Sequence, residues 1–184
     1  MNIVLIVIIV LVVIIALYVI NTRNALVVLR NKVKDQLSQI DVQLKRRFDL
    51  IPNLVETVKG YAKHEKDTLE AVINARNKAV SATNATEEMQ ANNELTGALT
   101  KLFALVESYP ELKANTNFMD LQANLKDTED KISFARQFYN DTVLKYKNKL
   151  EVFPSNLVAG IFGFKPEPFF EASATERETP KVQF

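Results

Sequence analysis

The sequence predicts an all-α protein: an N-terminal transmembrane helix continuous with a long-helix, up-down four-helix bundle. Three observations carry that reading. The chain opens on an unbroken apolar run from Ile3 to Ile20. Beyond it, apolar residues recur at steps of three and four, which lines them up on one face of a helix. No alternating apolar–polar stretch and no hairpin dipeptide of the Asn-Gly kind marks a strand.

At 1.5 Å per residue, the run from Ile3 to Ile20 spans about 27 Å, close to the roughly 30 Å hydrocarbon core of a bilayer. A buried helix of a soluble protein would show polar positions over that length, and this run has none. A cleaved signal peptide would start with basic residues and end at small ones. Here no Lys or Arg precedes Arg23, and Asn21-Thr22-Arg23 is a poor cleavage context. Residues 1–20 are therefore expected to form a permanent membrane anchor. Arg23, Arg30, Lys32 and Lys34 follow it closely, and cationic flanks tend to stay in the cytoplasm. The N-terminus is expected outside and residues 21–184 inside. Ala16 is the only small residue in the span, and the span holds no Asp, Glu, Lys, Arg or His. It reads as an anchor, not as a close-packed helix pair or a conducting path.

Residues 21–152 are expected to form the cytoplasmic helical bundle. No Gly or Pro interrupts the chain from Asn21 until Pro52, so the membrane helix should continue outward. Its apolar residues are Leu26, Leu29, Val33, Leu37, Ile40, Leu44, Phe48, Ile51 and Val55. They form an 11-residue repeat, about 3.67 residues per turn, that favours a straight or slightly right-handed stripe. The repeat stays in phase across Pro52, which argues for a kink there over a hairpin. The stripe fades at Lys59-Gly60, where Gly60 can supply a stop.

Asp67 and Glu70 have capping-box spacing and are expected to open a second helix, with Leu69, Val72, Ile73 and Val80 inward. Thr86 can cap a third, carrying Leu95, Leu99, Leu102, Phe103 and Val106 and ending before Tyr109-Pro110. A polar linker, Ala114 to Asn117, follows. The fourth helix has the cleanest pattern: Phe118, Leu121, Leu125, Thr128, Ile132, Ala135, Tyr139, Thr142 and Tyr146 step by three and four without exception. That is a heptad seam of the coiled-coil type, suited to shallow packing in a bundle. With up-down connections the fourth helix climbs back towards the membrane and delivers the tail after Pro154 near the bilayer surface.

Residues 153–170 form an aromatic-rich tail: Phe153, Phe162, Phe164, Phe169 and Phe170, joined by Leu157, Val158 and Ile161. Pro166 and Pro168 forbid a continuous helix to the end. Three readings stand open: a cap on the bundle core, an interfacial foot at headgroup level, or a contact with a neighbouring protomer. Residues 171–184 are polar and expected to be disordered.

Composition narrows the chemistry. The 184 residues hold 23 Lys plus Arg against 22 Asp plus Glu, a net charge of +1. That balance argues against a nucleic-acid binder, which needs excess cationic charge against phosphates. The absence of Cys removes disulfides, thiolate nucleophiles, Fe–S clusters and cysteine zinc sites. One His excludes a multi-histidine metal site within the chain, and four Gly leave little room for phosphate loops.

Several segments together resemble the LemA family of bacterial membrane proteins. They are Arg46-Arg47-Phe48-Asp49-Leu50-Ile51-Pro52-Asn53-Leu54-Val55-Glu56 running on to Tyr61, Ala75-Arg76, and Tyr109-Pro110-Glu111-Leu112-Lys113-Ala114-Asn115. Phe134-Ala135-Arg136-Gln137-Phe138-Tyr139-Asn140 and Phe153-Pro154-Ser155-Asn156-Leu157-Val158-Ala159-Gly160 continue the match. The resemblance implies a single-span protein of the bacterial inner membrane with a helical domain and a poorly defined activity. Relatives in magnetotactic bacteria are implicated in building organelle membranes, which makes membrane organisation a plausible activity here.

Individual residues add candidates. His64 beside Glu65 and Asp67 could hold a divalent ion, though such a cluster is more often a solvated turn, and zinc-type spacing is absent. Arg46, Arg47 and Asp49 precede Pro52, while Arg76 and Arg136 sit beside core positions. Paired to carboxylates, these arginines would fix helix register and offset the weakened backbone at Pro52. Anionic-lipid contact is the alternative for Arg46 and Arg47, but they lie roughly 39 Å beyond Ile20. Glu129 and Asp130 are adjacent and point about 100° apart on a helix, so they do not converge as a catalytic pair; Glu107 and Asp127 lie elsewhere. No catalytic, cofactor-binding or metal residue is assigned, and no cofactor is expected. The expected function is a non-enzymatic membrane-anchored scaffold that organises membrane or membrane proteins by self-association. Its expected partners are the lipid bilayer and further copies of itself, with another membrane protein as a further candidate. The alternatives are an adaptor docking a membrane protease or sensor without self-assembly, and a helical enzyme or metal-binding protein using the His64 region.

Overall fold

A computed structural model describes residues 2–83 and 85–170. The chain is all-helical: α1 Ile3–Tyr61, α2 Lys66–Val80, α3 Ala85–Val106, α4 Pro110–Lys113, α5 Thr116–Glu151 and α6 Ser155–Ile161. Among the described residues there is no strand. The segment 171–184, expected to be disordered, lies outside them. The fold divides into two compact units, residues 2–39 with 135–170 and residues 40–134.

The apolar run forms the start of α1 and contributes nothing to any core; its most apolar stretch is wholly unburied. Such a surface in water would be a large aggregation-prone patch, so this helix is a candidate membrane anchor. Past Ile20 the side chains of α1 begin to pack. In the unit of residues 2–39 with 135–170, Thr22, Leu26 and Val33 from α1 are buried with Tyr139, Val143 and Tyr146 from α5. Val158 and Ala159 of α6 and Phe170 complete that core.

In the unit of residues 40–134, one core collects Ile51, Leu54, Val55 and Val58 of α1, Leu69 and Val72 of α2, Leu95, Leu99 and Leu102 of α3, and Phe118 and Leu125 of α5. Phe103 meets Phe118 edge-on at 6.4 Å between ring centres. Each fully buried Leu or Ile contributes about 1.5–3 kcal/mol relative to exposure. The expected stripe on α1 and seam on α5 are the faces used: Ile40, Leu44, Ile51 and Val55 are buried, as are Phe118, Leu125, Thr128 and Ile132.

α1 runs unbroken through Pro52, as the in-phase stripe requires, and ends at Tyr61. Several other expectations are corrected. Gly60 is no left-handed stop, since Gly163 alone among the described glycines has positive φ, 68°. Asp67 and Glu70 form no capping box: α2 starts at Lys66, and its N-cap residue Glu65 makes no side-chain cap bond. Asp67 instead sits in the first turn, where its charge favours the helix N-terminus. Ile73 and Val80 are exposed, 39% and 55%, and Ala79 is buried in their place. The inward face of α2 steps 69, 72, 76, 79, so Arg76 occupies a position that an apolar pattern could not mark. The side chain of Thr86, the expected cap of α3, lies outside the description; next to that helix start, Thr83 donates its N–H and hydroxyl to Glu87 at 3.1 and 3.0 Å. The linker after Val106 holds an unexpected single turn, α4, with Pro110 at its start and Leu112 buried. α5 begins at Thr116, inside the expected linker, where the Phe118 N–H donates to Asn115 Oδ1 at 3.0 Å as in an N-cap.

Candidate functional site

Two side-chain groups stand out, one in each unit. The first, in residues 40–134, is a layer of arginines that ties helices together. Arg47 is 2% exposed. It donates to Thr96 Oγ1 of α3 at 2.9 Å and pairs with Glu129 of α5 at 3.1 Å, through different guanidinium nitrogens. Arg46, exposed beside it, reaches Asn124 Oδ1 at 3.3 Å and Asp127 at 3.5 Å, both on α5. Asp127 also accepts from Lys131 at 2.8 Å. That hydrogen bond, together with the charges of Lys131 and Arg46, holds the Asp127 carboxyl below its usual range. A depressed carboxylate contributes stability at neutral pH, and the contribution is lost as the pH falls through its folded-state value.

Arg76 answers Pro52. Proline has no N–H, so the carbonyl four residues earlier, that of Phe48, loses its helical donor. The Arg76 Nε–H donates to the Phe48 oxygen at 2.8 Å. The expected offset of the proline defect is real, but it runs through a backbone carbonyl and not through a carboxylate. Asp49, grouped in sequence with these arginines, instead pairs with Lys45 on the surface at 3.0 Å.

A groove of about 270 Å³ opens beside the layer, with Arg47, Leu99, Phe103, Leu125, Glu129 and Asp130 in its lining. Glu129 is engaged with Arg47, and Glu107 with Lys113. His64 is exposed in the turn after α1. Its neighbour Glu65 accepts a hydrogen bond from the Tyr109 hydroxyl at 2.8 Å, which pushes the Tyr109 pKa up, with burial and the carboxylate charge adding. Among the described residues, no group of three His, Asp or Glu side chains is placed to hold a metal ion.

The second group, in the unit of residues 2–39 with 135–170, is the aromatic tail. Its end is clamped: the Phe170 N–H donates to Asn140 Oδ1, and Asn140 Nδ2 donates back to the Phe170 carbonyl, each at 2.8 Å. The Tyr139 hydroxyl donates to the Pro168 carbonyl at 2.9 Å, and the Phe170 ring meets Tyr139 edge-on at 4.9 Å. Cations stand over four of the rings, Arg23 on Phe162, Arg30 on Phe164, Arg136 on Phe170 and Lys147 on Phe169, at 5.4, 5.4, 5.6 and 5.8 Å. The tail therefore splits between the sequence readings. Phe170 is core, Phe164 and Phe169 are half-buried under cations, and Phe153 and Phe162 are exposed. Sequence reasoning missed Thr96, Asn124 and Asn140, since single polar residues on helices leave no periodic trace.

The LemA family model matches residues 36–184, a span that holds the arginine layer and the whole tail. The chain belongs to the LemA family. Protein LemA of Metamycoplasma hominis is 26% identical over 162 residues, covering 86% of this chain and 73% of that protein. Magnetosome protein MamQ of Magnetospirillum gryphiswaldense is 26% identical over 188 residues, covering 86% of this chain and 69% of that protein. Magnetosome protein MamQ 1 of Paramagnetospirillum magneticum is 25% identical with the same coverage. This LemA-family chain keeps its apolar run, Ile3 to Ile20, outside the matched span.

Proposed function

We propose that this LemA-family chain is a non-enzymatic scaffold, anchored in the bacterial inner membrane by the start of α1, that organises membrane or membrane proteins by self-association. The observation that carries the reading is on α5. Each unit leaves one α5 phenylalanine open to solvent: Phe134 in residues 40–134 and Phe138 in the other, each 61% exposed. Exposed Phe side chains on a helix already packed along its seam are of the kind enriched in protein interfaces. The arginines support the same reading, because their hydrogen bonds and ion pairs hold helices in register. An up-down bundle of the four longer helices is the architecture that fits this role. The relatives named for the magnetosome support a membrane-associated helical protein.

Replacing Phe134 and Phe138 with Ser is expected to lower the particle mass of the full chain in mild detergent while stability changes by less than about 0.5 kcal/mol, as for other exposed positions. An unchanged mass would contradict self-association through α5. The topology proposed with this reading has the N-terminus outside and residues 21–184 in the cytoplasm, set by Arg23, Arg30, Lys32 and Lys34. Moving that cationic cluster to the N-terminal side should carry a C-terminal reporter across the membrane. A reporter that stays in place would show that charge does not set the orientation.

A further inference from the structure

The tail leaves an apolar surface that the scaffold reading does not use. From Val152 to Phe164 the sequence contains no Asp, Glu, Lys or Arg. Within it Val152, Phe153, Leu157, Ile161 and Phe162 are 59%, 74%, 57%, 76% and 45% exposed. The short helix α6 explains how. Ser155, Val158 and Ala159 face inward and are buried, so Leu157 and Ile161, one turn apart, must face out. Gly163, with φ 68°, then turns the chain at the end of α6.

The position of this surface names its occupant. Phe162 stands against Arg23 at 5.4 Å, and Phe164 against Arg30 at the same distance. Arg23 is three residues past Ile20, about 5 Å along the helix axis from the end of the apolar run. With the run inside the hydrocarbon, Phe162 lies at the depth of the lipid headgroups and glycerol, and the exposed face of α6 belongs to the same neighbourhood. Exposed Arg23 stands against Phe162 at its fringe, and exposed Lys165 follows three residues later, cations suited to lipid phosphates. An outward apolar face with cations at its rim, beside a transmembrane helix, fits the boundary of a bilayer.

We propose that residues 152–162 are an interfacial foot: α6 and its flanks lie in the headgroup region of the bilayer that α1 crosses, with Phe153, Leu157 and Ile161 inserted among the lipids. The foot holds the unit of residues 2–39 with 135–170 at a fixed tilt to the membrane, which a single span alone cannot do. The proposal rests on the reading of residues 3–20 as a membrane anchor, and the test separates the two.

The chain has no cysteine, so single Cys variants of the full-length protein can carry an environment-sensitive fluorophore. The full chain is reconstituted in phosphatidylcholine–phosphatidylglycerol vesicles that contain a lipid with a shallow acyl-chain nitroxide quencher. The labels go at Ile15→Cys, Leu157→Cys, Ile161→Cys and Lys63→Cys. The foot predicts blue-shifted, lipid-quenched emission at 157 and 161, as at 15, with aqueous, unquenched emission at 63. Quenching at 15 with none at 157 and 161 would overturn the foot and leave the anchor standing. Blue-shifted but unquenched emission at 157 and 161 would mean that protein covers the face, and would also overturn it. Loss of quenching at 15 as well would remove the anchor and the foot together.

Discussion

Arg76→Met is expected to cost about 2 kcal/mol of folding stability with Pro52 present, and well under half of that in a Pro52→Ala background. The reason is specific to one oxygen. Pro52 deprives the Phe48 carbonyl of its helical donor, and Arg76 Nε supplies the replacement at 2.8 Å. Removing Arg76 leaves that half-buried carbonyl without its charged donor, a loss worth roughly 1–3 kcal/mol. Alanine at 52 restores an N–H four residues on, so the second loss becomes redundant. A double-mutant cycle on the detergent-solubilised full chain reads the coupling through denaturation and through hydrogen exchange of residues 40–61. Additive losses in the two backgrounds would show that Arg76 stabilises through its packing alone.

Arg47→Ala is expected to be the costlier arginine substitution, at about 3 kcal/mol, against at most about 1 kcal/mol for Arg46→Ala. Arg47 is 2% exposed and bonds Thr96 and Glu129 on two different helices, while the Arg46–Asp127 pair is 43% and 47% exposed and screened by water. Arg47→Lys should recover only part of the loss, because one ammonium cannot copy a planar fork whose nitrogens serve partners on α3 and α5. Thermal unfolding followed by circular dichroism measures all three variants. Equal losses at 46 and 47 would mean that burial does not separate the two arginines.

The contrast between these residues shows what a sequence can reveal. The faces of α1 and α5 were legible because long apolar stripes with steady steps leave few other ways to bury their side chains; Ile40, Leu44, Ile132 and Tyr146 pack as their spacing requires. Ile73 and Val80 of α2 face out because a polar residue, Arg76, holds an inward position to reach a carbonyl, and hydrophobic periodicity is blind to that. The four residues of α4 are too short for any period. The path of the tail depends on Asn140 and Tyr139 bonding the backbone of residues 168 and 170, contacts nearly thirty residues apart that carry no local signature. Composition marked the tail as apolar, but only the fold separates Phe170, which is buried, from Phe153 and Ile161, which are 74% and 76% exposed.

Self-association at the membrane shows itself in the mass of the particle. Light scattering of the full chain in mild detergent, beside residues 21–184 alone, is expected to give a discrete assembly of several chains for the full-length protein and a smaller particle without the anchor. Monomers in both samples would contradict the scaffold and favour an adaptor that docks other membrane proteins.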